Sequence, residues 1–243
     1  MELIRSVQRA CGLLSAFSVA SPRLTLAELS ERVELPKPTV HRLAATLVES
    51  GFMTQHADGR YGLGARTISV GAIAQADLDL IAACRPLMER LAQRTGETVL
   101  LGMADWNTLE TTIVHRIDST HELSVLSPVG RRAKITLGAI GKALLLGLEP
   151  TELEQVVPAI DLSAHTDRTI TGIEAALVEI QRCRTAGFAT ENEEFLAGVS
   201  AVAAPVRLDG TWPAGAVAVV GPAARMDDRL EQIGEWLVEE PRY

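Results

Sequence analysis

The 243-residue sequence lacks the residue patterns on which most metal sites, disulfide frameworks and membrane spans depend. Its three cysteines, Cys11, Cys84 and Cys183, are far apart and form no C-x-x-C pair. The five histidines are scattered, without the spacing of metal ligands. No stretch reaches the uninterrupted apolar length of a transmembrane helix. These absences argue against a bound metal, a cofactor and a membrane location, and they suit a protein of the reducing cytoplasm.

The sequence also lacks a recognisable catalytic arrangement. No Ser-His-Asp or Cys-His set can be assembled from its residues. The glycine-rich segment with Gly138, Gly141 and Lys142 has neither the spacing nor the Ser/Thr of a phosphate-binding Walker loop. It predicts either a helix start whose free N–H groups hold an anion or simply a tightly packed turn. The carboxylates at 191–194 invite an acid–base mechanism, although a solvated acidic loop is the commoner explanation.

What the sequence does contain is a helix-turn-helix pattern followed by a hairpin, between Leu24 and Gly64. Thr25 and Glu28 form a T-x-x-E capping box, in which each side chain satisfies a free N–H at a helix start. Two prolines then interrupt the apolar periodicity. A second amphipathic helix runs to Gly51, because glycine accepts the left-handed conformation that ends a helix. This order of elements predicts a helix-turn-helix unit.

A β-hairpin wing is expected directly after the second helix. Residues 52–55 and 60–63 are its strands, and Asp58-Gly59 supplies the turn because glycine accepts a positive φ. In a winged helix-turn-helix the second helix enters the major groove of DNA, and its N-terminal side chains meet base edges and phosphates. The predicted DNA-contacting residues are Lys37, Thr39, His41, Arg42 and Arg60.

The charge distribution permits DNA binding by the N-terminal part. The formal net charge of the chain is −8, which is unusual for a nucleic-acid-binding protein. However, residues 1–66 carry two more basic than acidic side chains, and the remainder carries ten more acidic than basic ones. Because phosphate contacts need only a local basic cluster, the acidity of the second part does not exclude a DNA partner.

The segments ELPKPTVHRLAATLVESGFM and GRYGLG resemble the N-terminal domain of the IclR-type bacterial transcriptional regulators. That family typically shows a Leu-Pro-Lys-Ser-Thr-Val-x-Arg-Leu core, and Pro38 stands here where serine is usual. Two later segments, GAIGKALLLGL and GFATENEEFLAGVSAVAAPVRL, are similar to the signature stretches of the family's effector-binding domain. The resemblance implies a DNA-binding regulator that forms homodimers, often paired into homotetramers. It also implies a small organic effector, often a carboxylic acid.

The remainder of the chain predicts an α+β fold. Residues 65–77 predict a linker helix, and 78–243 predict helices with a mainly antiparallel sheet. Residues 123–126 are a candidate short strand, and Asp209-Gly210 marks the turn of the last hairpin. With the resemblance, the expected parts are a winged helix-turn-helix DNA-binding domain at 1–64, the linker helix, and a GAF-like α/β effector-binding and oligomerisation domain.

The resemblance also implies the position of an effector pocket. By position in the motifs, the backbone N–H donors are Ala139 and Ile140, the acidic residue is Glu191, and the walls are Val199, Ala201, Ala218 and Val220. Family members that bind small keto acids tend to show cysteine at the position of Ala201 and serine at those of Ala218 and Val220. Because these polar donors are absent, we infer a larger or more apolar effector.

The sequence therefore predicts a cytoplasmic, ligand-responsive repressor or activator that binds double-stranded operator DNA and uses no metal or cofactor. Two alternatives stay open. In the first, the chain is an enzyme that acts on a small acid through Lys142 and Glu191 and carries an appended DNA-binding domain. In the second, it is a constitutive DNA-binding oligomer without a ligand response. Turnover of an acid would support the first alternative, and ligand-dependent operator affinity would exclude the second.

Overall fold

The computed structural model describes residues 3–208 and 212–239. The chain divides into two compact units, Met1–Leu78 and Asp79–Tyr243. Each unit has its own cluster of buried apolar side chains. The Asp209-Gly210 turn expected from the sequence lies outside the described residues.

The first unit is a helix-turn-helix with a two-stranded wing. Its elements in chain order are α1 (Arg5–Ser15), α2 (Leu26–Arg32), α3 (Lys37–Glu49), β1 (Met53–Gln55), β2 (Tyr61–Leu63) and α4 (Ala65–Ala76). Thr25 caps α2, and the reciprocal bonds of its capping box with Glu28 are both present. Gly51 follows α3 with φ +78°, and Gly59 turns the wing with φ +80°. The local signals of the sequence therefore produce the expected elements here.

The core of the first unit forms where the apolar faces of α2 and α3 meet the wing. Its fully or nearly fully buried members are Leu13, Leu24, Leu29, Val40, Ala44, Leu47, Met53 and Tyr61. The Tyr61 N–H donates to the Leu24 carbonyl at 2.7 Å, which ties the wing to the segment preceding α2. This core fixes α3 with its polar face outward.

The second unit is an antiparallel sheet with helices packed on it. Its elements in chain order are α5 (Asp79–Thr95), β3 (Thr98–Asp105), β4 (Glu110–Ile117), β5 (Arg132–Lys134), α6 (Gly138–Leu146), α7 (Pro150–Val156), α8 (Ile173–Ala186), β6 (Ala189–Asn192), β7 (Val199–Val206), β8 (Gly215–Pro222), α9 (Ala223–Met226) and α10 (Leu230–Glu239). The strands pair in the order β5-β4-β3-β8-β7-β6, and every described pairing is antiparallel. The α+β fold class is confirmed.

One face of the central strands carries small side chains beneath α6. Successive side chains on a strand point to opposite faces. On β8, Ala216, Ala218 and Val220 belong to the cluster that includes α6, and the neighbouring strand β7 adds Ala201 and Ala203. Because alanine fills little volume, the α6 face of the sheet leaves space that larger residues would fill.

The expected strand at 123–126 is wrong. Residues 123–126 lie in the loop between β4 and β5, and two of their carbonyls bond to side chains instead of a neighbouring strand. The Leu123 carbonyl accepts from Arg225 at 2.8 Å, and the Val125 carbonyl accepts from the Thr98 hydroxyl at 3.3 Å. These partners satisfy the backbone without a ladder, which sequence patterns do not reveal.

Among the residues that the structure describes, no single helix is long and apolar enough to cross a membrane. The adjoining helices α4 and α5 meet the requirement of length and composition only when they are taken together as one broken span.

We expect a fragment that begins at Leu78 to fold and to self-associate without the preceding residues, because the second unit contains its own sheet and core. The fragment should bind the effector and should not bind DNA. Circular dichroism and size-exclusion chromatography test its folding and assembly. Fragments that are unfolded from more than one starting residue would contradict this division of the chain.

Candidate functional site

The polar face of α3 is exposed at the start of the helix. Lys37, His41 and Arg42 are exposed and Thr39 is half-buried. Pro36 precedes the helix and Pro38 occupies one of its first two positions, so the helix begins one residue before Pro38. The side chains expected to meet DNA therefore share an accessible surface at the N-terminal half of α3.

Two further arginines border this surface. A concave surface between α1 and α3 is lined by Arg5 and Arg9 together with Thr39, His41 and Arg42. Residues four apart lie on the same side of a helix, so the spacing of Arg5 and Arg9 places both on one face of α1. Neither arginine was among the expected DNA-contacting residues, although their spacing is visible in the sequence. They add positive charge beside α3.

Arg60 lies on the wing and is not among the residues that line that concave surface. Its guanidinium Nη1 is 3.8 Å from Glu28 Oε2, and both side chains are nearly half exposed. Glu28 already bonds to Thr25 in the capping box. An exposed pair at this distance contributes little stability, so the Arg60 charge remains accessible to a partner.

A cavity lies in the second unit between α6 and the sheet. About 630 Å³ of its space is free of atoms, and part of this space is open to solvent. The structure brings together all of the residues expected at an effector pocket, and the lining includes Ala139, Ile140, Glu191, Val199, Ala201, Ala218 and Val220. Most of the remaining lining is apolar, as in ligand pockets generally.

Glu191 is the acidic group of this cavity. It lies on β6 opposite Ala201 of β7, and only 4% of its surface is exposed. Its Oε1 accepts a hydrogen bond from the backbone N–H of Phe195 at 3.0 Å, and its Oε2 lies beside the start of α6, 3.5 Å from the position of a Cβ added to Gly138. Burial, followed by repulsion from Glu194, raises the pKa of Glu191 to about 7. Glu191 therefore changes its charge near neutral pH.

Arg131 is a charged lining residue that was not expected from the sequence. It is the last residue of the loop between β4 and β5, and its Nη1 donates to the Ser127 hydroxyl at 3.0 Å. Its guanidinium carbon lies 4.7 Å from the centroid of the Phe195 ring. Burial lowers the pKa of Arg131, although Glu191 partly offsets this effect. The sequence carries no motif that would place a loop arginine in the cavity.

The start of α6 packs closely and explains its glycines. A Cβ added to Gly141 would lie 1.9 Å from the Ile135 carbonyl oxygen, so a side chain is excluded there. Gly138 has φ +72°, which favours glycine. The start of this helix, expected to meet an anionic ligand, has the Glu191 carboxylate beside it, because Glu191 Oε2 would lie 3.5 Å from a Cβ added to Gly138. The protein's own carboxylate thus lies at the positive end of this helix.

The acidic residues at 191–194 do not form a solvated loop, which is the commoner explanation for such a sequence. Glu191 is buried in the cavity, and Glu193 accepts from the Gly198 N–H at 2.8 Å. Glu194 accepts from Lys142 Nζ at 2.7 Å, and only 6% of the Lys142 side chain is exposed. Each carboxylate therefore has a separate structural partner.

Lys142 and Glu191 do not share a cavity, which removes the basis of the enzyme alternative. Lys142 lines a smaller cavity beside α8, together with Glu179 and Glu194. Burial raises the pKa of the Cys84 and Cys183 thiols to about 11, so neither is a thiolate at neutral pH. Within the described ranges 3–208 and 212–239, no three His, Cys, Asp or Glu side chains are grouped to hold a metal ion.

Comparisons with known proteins agree with these two units. Residues 6–57 match the family model for the IclR helix-turn-helix domain, and residues 73–240 match that for the bacterial transcriptional regulator IclR C-terminal domain. The HTH-type transcriptional regulator KdgR of Escherichia coli is 33% identical over 206 residues, covering 84% of this chain and 77% of the relative. Its name is that of a regulator and not of an enzyme.

Two solved structures share the fold. The crystal structure of an IclR transcriptional regulator from Silicibacter sp. TM1040 is 27% identical, covers 96% of this chain and 95% of the other, and has a TM-score of 0.80. An IclR homologue from Microbacterium hydrocarbonoxydans, solved in complex with 4-hydroxybenzoate, is 24% identical, covers 96% of each chain and has a TM-score of 0.76. From the two family models and the KdgR similarity, the chain belongs to the IclR family of bacterial transcriptional regulators.

Proposed function

We propose that this protein represses or activates transcription in response to a small organic effector, which binds the cavity of the second unit and alters operator binding by the first. The observation that carries the proposal is the largely apolar cavity, which contains two charged side chains, Arg131 and Glu191. A pocket with apolar walls and few polar groups suits an organic molecule with a polar end.

The proposed effector is a carboxylic acid with a larger or more apolar skeleton than a small keto acid. Val199, Ala201, Ala218 and Val220 offer apolar walls to that skeleton, and Glu191 offers an acceptor to a hydroxyl or amine of the ligand. The IclR homologue solved with 4-hydroxybenzoate binds such an acid, which supports this choice. Ala139 and Ile140 line the same end of the cavity, at the start of α6.

The proposed DNA partner is a pseudo-palindromic operator bound by two copies of the chain, acting in the cytoplasm where bacterial DNA lies. Each α3 would enter the major groove of one half-site, with Lys37, Thr39, His41 and Arg42 toward the DNA and Arg60 reaching it from the wing. The helix α4 supports self-association, because it buries none of its side chains and exposes Ile68 and Ile73 by more than 70%. We propose a homodimer or a homotetramer.

The effector response requires two arrangements of the DNA-binding units within the oligomer. An effector shifts operator affinity only if it binds one arrangement more tightly than the other. Operator binding measured with and without a bound effector separates this regulator from a constitutive DNA-binding oligomer. Equal operator affinity in the presence and absence of a ligand that occupies the cavity would favour the constitutive protein.

Replacing Arg42 by alanine should weaken operator binding by roughly 1–3 kcal/mol if the arginine reads a base. If Arg42 contacts only phosphate, the loss should be similar on operator and random DNA. Fluorescence anisotropy with both DNAs, over a range of salt concentrations, distinguishes the two cases. Arg116→Ala is the matched control, because it removes the same charge from a surface pair with Asp118 in the second unit. Unchanged binding of Arg42→Ala to both DNAs would refute α3 as the recognition helix.

A further inference from the structure

The cavity contains one cationic and one acidic side chain among its described lining residues, Arg131 and Glu191. A carboxylate that enters an apolar cavity loses its hydration and needs a charged or hydrogen-bonding partner. The lining also holds the hydroxyls of Thr111 and Ser127, but the groups with positive charge or partial positive charge are the Arg131 guanidinium and the backbone N–H groups at the start of α6. The contacts of each group decide between them.

The Arg131 guanidinium has unused donors. A guanidinium carries five N–H groups in a planar fork that matches a carboxylate. One of them bonds to the Ser127 hydroxyl at 3.0 Å. Among the residues that the structure describes, no carboxylate oxygen lies within the 4.0 Å of an ion pair with this group. The cation is therefore held in place without an anionic partner.

The start of α6, unlike Arg131, already has a carboxylate beside it. Oε2 of the buried Glu191 would lie 3.5 Å from a Cβ added to Gly138, the first residue of this helix, and its Oε1 accepts from the Phe195 N–H at 3.0 Å. A ligand carboxylate at this position would have to displace Glu191 or lie beside it. Two ionised carboxylates in contact within a cavity of low polarity repel one another, so an anion at this position would first require Glu191 to take up a proton.

We propose that Arg131, and not the N-terminus of α6, binds the carboxylate of the effector, and that the effector is a monocarboxylic acid with an apolar or aromatic body. This inference rests on the proposed function, in which the cavity is the effector site. Phe195 holds the two charged groups in relation to each other, because its ring contacts Arg131 and its N–H bonds to Glu191. The single cation matches a single carboxylate, and Glu191 disfavours a second one.

The test is a panel of acids on the full-length protein. The panel contains benzoate, 4-hydroxybenzoate, phenylacetate and hexanoate, the primary amide of each acid, and the dicarboxylate terephthalate. Thermal shift identifies the compounds that bind the native state, and calorimetry gives their affinities. At least one monocarboxylate should bind, and its amide and terephthalate should bind at least tenfold more weakly.

Variants of Arg131 identify the anchor. Arg131→Met should weaken the binding of the acid by roughly 10- to 100-fold, the usual range for a lost charge-assisted hydrogen bond. It should leave the affinity for the amide within about twofold, and Arg131→Lys should retain part of the affinity because it keeps the charge. Arg132→Met is the control, because Arg132 pairs with Glu110 at 2.8 Å and is not part of the lining.

The possible results distinguish an error in the anchoring residue from an error in the location of the effector site. If an acid binds and Arg131→Met retains its full affinity, Arg131 is not the anchor, although the cavity remains the site. If the amides bind as tightly as the acids, the assignment of a carboxylate is wrong. If no compound of either kind binds the wild-type protein, the inference fails together with the proposed effector site.

Discussion

Replacing Ala218 by leucine is expected to abolish effector binding while operator binding stays intact. Ala218 lies on β8 between Leu100 of β3 and Ala203 of β7, and its side chain lines the cavity. A leucine adds three carbon atoms to this space, which a ligand would otherwise occupy. We expect the affinity to fall by more than about 100-fold, because a filled cavity leaves the ligand no alternative position. Calorimetry with an acid identified by the panel measures this loss.

The control for this variant is Ala216→Leu. Ala216 lies two residues away on the same face of β8 and is fully buried, but it does not line the cavity. Overpacking at either position costs stability, typically about 1–3 kcal/mol, so thermal melts of both variants report this common effect. Effector binding should be lost only in Ala218→Leu. If Ala218→Leu binds the acid with unchanged affinity, the effector site lies elsewhere.

The second large effect is expected from Glu191→Gln, as a pH-dependent gain in stability. Burial raises the pKa of Glu191 to about 7 from an ordinary value of 4.5. Between these values the folded protein retains a proton that the unfolded chain has released. The free energy of unfolding therefore falls as the pH rises through this window, and the contribution of this group is constant above about pH 7. Glutamine does not ionise and escapes this loss.

The free energy of unfolding of Glu191→Gln minus that of the wild type should be about 2–3 kcal/mol larger at pH 8 than at pH 4.5. The charges of Arg131, Lys142 and Glu194 also affect the pKa of Glu191, so these three residues should be left unsubstituted in this experiment. Urea unfolding monitored by tryptophan fluorescence is suitable, because all three tryptophans, Trp106, Trp212 and Trp236, lie in the second unit.

The exposed glutamate Glu122 provides the matched control, and Glu122→Gln should show no such dependence on pH. A stability difference between Glu191→Gln and the wild type that does not change between pH 4.5 and pH 8 would show that Glu191 titrates normally. The same measurement, repeated with a bound monocarboxylate, should show a larger difference at high pH, because the ligand's charge further disfavours the ionised Glu191.

The sequence by itself determined the local elements of the first unit and the surface proposed to meet DNA. The capping box of Thr25 and Glu28, the helix end at Gly51 and the wing turn at Gly59 depend on interactions within a few residues. The periodicity of α3 assigned one face to the core and left Lys37, His41 and Arg42 exposed. Such signals can be read from a single sequence because the residues that interact are close along the chain.

Only the tertiary structure decided the environment of the charged groups in the second unit. The family motifs selected Glu191, but its burial depends on α6, β7 and the loop at Phe195, which lie far apart in the sequence. Arg131, at the end of the loop between β4 and β5, lines the cavity, whereas Lys142 pairs with Glu194 and lines a different cavity. Burial and ion pairing arise from contacts between distant segments, and local sequence patterns carry no information about those contacts.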